Sequence, residues 1–180
     1  DRVAIVTSDV LGYSRVLVDA FRHSIEQKYG IAPSSVAFPC SHTHCGPAVN
    51  FGLNFAVGGL SVWYLARLET QLVDLVGEAV KSLSPSEVEF GETSAQIGMN
   101  RRRVTADGVR SGPNPDGVYD RHTPILRITR RRSPRRVVLV NHACHPTSTG
   151  AYHKWAPDWP GALRRYIESR VDDSRALFAK

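Results

Sequence analysis

Apolar positions along this chain recur at two spacings, alternating in short runs and returning every three or four residues in longer ones. The short runs predict strands and the longer ones helices, because strand side chains alternate between faces while a helix returns to one face each turn. Val3 to Ser8 predicts a buried strand with an acid, Asp9, at its tip. Ser14 stands where it can cap a helix carried by Leu17, Phe21 and Ile25, and Gly30 stops that helix. Ser35 to Phe38 predicts the next strand, closed by Pro39, which cannot donate to a ladder. Strand, helix and strand of these lengths make a right-handed crossover unit with both strand ends on one edge.

The stretch 46–60 is rich in Gly, Asn and Pro and carries Phe51 and Phe55, the pattern of a lid over a site. Ser61 then caps the clearest helix, whose stripe is Val62, Leu65, Leu68, Leu72, Val76, Ala79 and Leu83. Glu87 to Ile97 alternates as a strand, and Asn100 to Asp120 predicts a loop because Gly, Pro and Asn crowd it. Ile125 to Thr129 and Val137 to Val140 predict a hairpin, and Pro160 opens a final helix through Leu163, Tyr166 and Ile167. The expected fold is α/β in mixed layers: a mixed β-sheet with flanking helices and motif loops at the strand ends.

Two histidine motifs leave the predicted strands. Ser41-His42-Thr43-His44-Cys45-Gly46-Pro47 follows the second strand, and Asn141-His142-Ala143-Cys144-His145-Pro146-Thr147-Ser148 follows the hairpin. In an extended His-x-His both imidazoles project to one side, so a single strand end offers two nitrogens to one metal. His145 precedes a proline, which holds it extended and pre-organises it as a ligand. His142 is undecided between ligand and buried strand residue. Asp158 either caps the last helix or orients a ligating histidine, and His153 lies beside it. His23 and His122 receive no role. An amidohydrolase barrel of about 250 residues exceeds this chain, and the Asp-His continuation of metallo-β-lactamases is replaced here by Cys45-Gly46.

Charge alters this picture little. The net charge is +6, but Arg130, Arg131, Arg132, Arg135 and Arg136 cluster around Ser133-Pro134, and without those five it is +1. No aromatic residue interleaves them, so they predict a charged hairpin loop rather than a nucleic-acid surface. No apolar stretch approaches the length of a membrane span. At 180 residues one domain, 1–180, is expected, and an opening without methionine predicts a piece of a longer chain. The three cysteines, Cys40, Cys45 and Cys144, flank the histidine motifs. They predict small lining residues, with a cysteine nucleophile and a Cys-x-His-x-His-Cys metal site as the other readings.

Taken in order, Val3 to Asp9, His42-Thr43-His44-Cys45-Gly46-Pro47, Asn100-Arg101, His145-Pro146-Thr147-Ser148 and Asp158-Trp159-Pro160-Gly161 resemble the N-terminal catalytic domain of the neutral/alkaline non-lysosomal ceramidase family, in its bacterial ceramidase-like branch. The resemblance covers most of the chain. It implies a Zn2+-dependent amidohydrolase that cleaves an N-acyl amide bond of a lipid or small-molecule substrate by metal-activated water. It further implies His42 and His145 as zinc ligands, His44 beside the attacking water, and Arg101 against substrate or intermediate. Access to substrate at a membrane surface and a secreted or periplasmic location are also implied. The family completes its zinc shell with a glutamate and a tyrosine from further along, for which this chain shows no counterpart, and Cys45 stands where serine is more familiar. A fragment of a larger ceramidase-like domain is thus expected, with a non-catalytic or degenerate binding domain as the alternative.

Overall fold

The structure, a computed structural model, describes residues 2–53, 59–150 and 152–180. Phe55, assigned to the predicted lid, lies outside the described residues, whereas Phe51 lies exposed in a single helical turn, Phe51–Leu53.

Strand β1 (Ala4–Ile5) pairs in parallel with β2 (Val36–Ala37), and an isolated parallel bridge between Ser8 and Cys40 carries the pairing to the first histidine motif. Between them runs helix α1 (Arg15–Tyr29). It ends at Gly30, whose φ of 64° lets its N–H return to the Glu26 carbonyl at 2.9 Å. Ser14 holds the N-cap position without a side-chain cap bond. Helix α2 (Val62–Lys81) starts at Ser61, whose hydroxyl accepts from the Tyr64 N–H.

The two helices share a core in which Phe21 and Ile25 meet Leu72, Val73 and Val76 over Val6 and Val36. Gly77 permits this approach, because a Cβ there would sit 2.2 Å from the Tyr29 hydroxyl. The predicted stripe of α2 is displaced at its ends: Val62 and Leu83 are exposed, while Val73 is buried. The helix is longer than the surface it covers, so its termini find no apolar partner.

Strand β3 (Ser86–Ser94) is an edge strand, exposed along nearly all its length. The segment expected to be loop forms an antiparallel hairpin instead, β4 (Asn100–Thr105) with β5 (Gly108–Asn114). Pro113 and the glycines do not prevent it, because in a two-stranded ribbon each strand is an edge and needs only one row of ladder bonds.

Strands β6 (His122–Arg130) and β7 (Arg136–Asn141) pair as predicted, Ile125 opposite Val140 and Ile128 opposite Val137. Helix α3 (Asp158–Arg170) then leads to β8 (Ser174–Ala179), which lies parallel to β7 and was not foreseen. The sheet order is β3-β6-β7-β8. Val138, Val140 and Phe178 pack beneath α3 through Trp159, Leu163 and Ile167. The fold is α/β with a mixed sheet, as expected.

The arginine cluster is tied to its own surroundings. Arg131 faces Glu87, Arg130 donates to the Ser82 carbonyl, and Arg136 donates to the Asp172 carbonyl at 2.7 Å.

Candidate metal centre

The first motif is held to the segment after β1 by backbone bonds, Ser41 N–H to the Ser8 carbonyl (2.9 Å) and His42 N–H to the Val10 carbonyl (3.1 Å). His42 is not extended, contrary to the His-x-His expectation. Its φ is 64°, a left-handed conformation uncommon outside glycine. The kink lets its Nδ1 donate to the Leu11 carbonyl at 2.5 Å, which leaves the Nε2 lone pair free. Thr43 is buried below, donating to the Ala156 carbonyl (2.6 Å) and accepting from the Cys45 N–H (3.2 Å). Gly46 closes the turn where only glycine fits, since a Cβ would lie 2.6 Å from the Asp9 carbonyl oxygen. Asp9 itself, the acid at the strand tip, pairs with Arg164 of α3.

The second motif is anchored by Asp158. Its carboxylate accepts from the N–H groups of Trp159 (2.6 Å), Thr149 (3.0 Å) and Ser148 (3.3 Å) and from the Thr149 hydroxyl (2.8 Å). Burial opposes its ionisation, but these donors outweigh that and hold its carboxyl below the ordinary value. The two readings of Asp158 thus resolve toward the backbone: it joins the start of α3 to the loop behind His145 and touches no imidazole.

These anchors bring His42, His44 and His145 together. One ligand atom from each lies within 4.8 Å of the others, and the Nε2 atoms of His44 and His145 are 2.7 Å apart. Three imidazole nitrogens this close together could hold a metal ion. The 2.7 Å separation is that of a hydrogen-bonded pair, so the rings would part slightly for an ion to enter. Among the described residues the group contains histidine alone. Burial lowers the pKa of His42 and of His145, and the nearby charge of Lys180 lowers both further. His145 also feels Arg101. Both imidazoles are therefore biased toward the neutral, ligating form.

Arg101 sits at the register shift between Asn100 and Arg102, a bulge of the kind that re-aims a side chain beside a site. Lys180 was missed from the sequence. It follows β8, whose Ala176–Ala179 run carried the unread strand signal, and its N–H donates to the Cys40 carbonyl at 3.3 Å.

His142 proves structural. It is 2% exposed, hydrogen-bonded through Nδ1 to the Thr123 hydroxyl (2.8 Å) and edge-on to Trp159. His153 and His23 are exposed and stand apart from the trio, and His122 pairs with Glu92 on the surface. All three cysteines are free thiols. Burial pushes Cys40 up to about 11 and raises Cys144, which disfavours a thiolate at either. Cys45 is buried with its sulfur 3.2 Å from the Thr149 hydroxyl. An apolar groove of about 520 Å³ along β1 and α2 is lined by none of the three histidines.

No family model and no curated protein matches the chain. Solved structures do, ceramidases among them. The neutral ceramidase from Pseudomonas aeruginosa matches with a TM-score of 0.77 at 19% identity, over 97% of this chain and 29% of that one. A ceramidase complexed with C2 matches with a TM-score of 0.75, again at 19% identity and with the same coverage of each chain. The chain thus spans under a third of the length of the ceramidases it is similar to. At this identity the likeness concerns architecture, and over nearly its whole length the chain has the fold of a segment of neutral ceramidase structures.

Proposed function

We propose that this chain supplies the histidine half of a zinc site in a longer hydrolase that cleaves the N-acyl amide bond of a ceramide-like substrate. The observation that carries this reading is the convergence of His42, His44 and His145. The fold shared with ceramidase structures and the five motifs named above support it.

His42 through Nε2 and His145 would hold the ion, with His44 against the water that attacks the carbonyl. When bound, zinc supplies Lewis acidity that polarises the amide carbonyl and acidifies water. His44 takes up and returns the proton moved in that step. Arg101 donates to the oxygen that gains charge, an interaction worth about 2.7–4 kcal/mol in comparable sites. Leu11 holds the His42 tautomer and Asp158 holds the His145 loop, so neither ring has to be ordered during binding.

Zinc content of the longer, full-length protein, measured beside hydrolysis of a panel of N-acyl amides, tests the reading. Stoichiometric zinc with release of fatty acid is expected. A protein that retains no zinc, or hydrolyses none of the panel with zinc present, sinks it. The second reading, a degenerate binding domain, draws on the lack of any carboxylate in the histidine group among the described residues. Zinc retention with amide binding but no turnover is its signature.

A further inference from the structure

The sheet β3-β6-β7-β8 has an apolar residue set on each face, and only one set is covered. Side chains alternate along each strand, so the register assigns every position to a face. Ile125, Val138, Val140 and Phe178 lie against α3. On the opposite face Val88, Ile128 and Val137 stand in one row, and Phe90, Leu126, Leu139 and Leu177 stand in the next. Val88 is 64% exposed and Phe90 is 68% exposed, so no helix of the described residues packs over them.

This face continues into the apolar groove along β1 and α2. Leu177 lines that groove, while Ile5 and Leu83, both exposed, line it and also a neighbouring cleft of about 820 Å³ over Ile128 and Val137. Arg130, Arg135, Arg136 and Arg175 border the cleft, against two acids, Glu168 and Asp173. Among the described residues none of these arginines enters an ion pair. Arg130 and Arg136 each donate to a carbonyl, which leaves their charge unanswered.

The strands themselves carry the signature of burial on both sides. β7 and β8 run parallel, and Val137-Val138-Leu139-Val140 and Ala176-Leu177-Phe178 are apolar at consecutive positions. A strand with one wet face alternates, whereas an unbroken apolar run belongs between two layers. Helix α3 supplies one of those layers.

We propose that the open face is the docking surface for an amphipathic helix of the longer polypeptide, outside residues 1–180. Its apolar stripe lies on Phe90, Leu126, Leu139 and Leu177, and its acidic residues point toward Arg130 and Arg175. Helices are the elements that close the second face of a sheet with parallel strands. The chain covers 29% of the ceramidase structures whose fold it shares, so a longer polypeptide of that kind has ample chain to supply one. A second copy would instead bring the same arginines to the interface, and like charges oppose that pairing. Only the longer chain is taken from the hydrolase reading, not its chemistry.

Photo-cross-linking in the full-length protein tests the surface. With p-benzoylphenylalanine in place of Phe90, and in a second variant in place of Val88, the expected product is a cross-link within one polypeptide. It should join the probe to a helical peptide outside residues 1–180 that carries acidic residues. A cross-link to a second copy or to residues 1–180, or none at either position, overturns the proposal. Arg175→Glu should lower the melting temperature of the full-length protein by about 2–4 °C, and Arg175→Lys should preserve it. Unchanged melting in Arg175→Glu overturns the acidic flank. Helix docking in a protein that cleaves no amide would leave this surface standing while the hydrolase reading falls.

Discussion

The imidazoles of His44 and His145 lie 101 positions apart in sequence and meet Nε2 to Nε2 at 2.7 Å. One nitrogen must carry a proton and donate to the other, so this hydrogen bond has to open before His145 can turn its lone pair to an ion. His42 closes the group from the side, with its ring centroid 5.0 Å from that of His145.

Substitution separates ligands from scaffold. His42→Ala and His145→Ala are each expected to abolish stoichiometric zinc retention while the fold persists, as measured by metal analysis and circular dichroism. His142→Ala should do the reverse. It should keep zinc and lose about 2–5 kcal/mol of stability, the usual consequence of emptying a buried side-chain site. Zinc loss in His142→Ala without unfolding would contradict the assignment.

Asp158 should govern the acid limb of stability. Its folded pKa lies below the ordinary 3.8, so its contribution is complete above that value and fades as pH falls through the folded value. Asp158→Asn should cost about 1.5–3 kcal/mol at neutral pH, the scale of hydrogen bonds to a charged acceptor. The penalty should shrink toward low pH in urea denaturation. A penalty independent of pH would show that the charge is not what holds the loop.

The close approach at Gly46 predicts steric intolerance. Gly46→Ala places a Cβ against the Asp9 carbonyl, and a backbone atom cannot swing aside. A loss of about 1–3 kcal/mol is expected from such overpacking, with weaker zinc binding because the first motif must shift. Calorimetric melting together with zinc titration decides it, and an unchanged melting temperature would refute the contact.

In metal-free protein, NMR titration should find His42 and His145 titrating below 6.5. Lys180→Gln should raise both values, because removing a positive neighbour favours the imidazolium. Values that do not move would place the Lys180 ammonium away from the two rings.

Much of the scaffold was legible because its signals are local. Gly30 ends α1 and Ser61 opens α2 through bonds reaching a few residues, and β6 and β7 pair across a short turn. The hairpin at Asn100–Asn114 was hidden, since its Pro and Gly content is that of a loop until the partner strand is known. The β8 strand was hidden too, its parallel pairing with β7 being reached only by way of α3. The stripe on α2 was legible in period but not in extent, which depends on where the packed surface stops.

The sequence by itself determined the two histidine motifs, the strand ends that carry them and the helices that brace them. These follow from side-chain periodicity and from caps whose bonds close within a turn. Only the tertiary structure decided that His142 is scaffold, that His42 turns through a left-handed kink, and that Lys180 belongs beside the trio. Each of those depends on a partner remote in sequence: Thr123 for His142, Leu11 for His42, and Cys40 for Lys180. Direction, burial and charge at a site are set by what packs around it, and the chain meets those neighbours only when it folds.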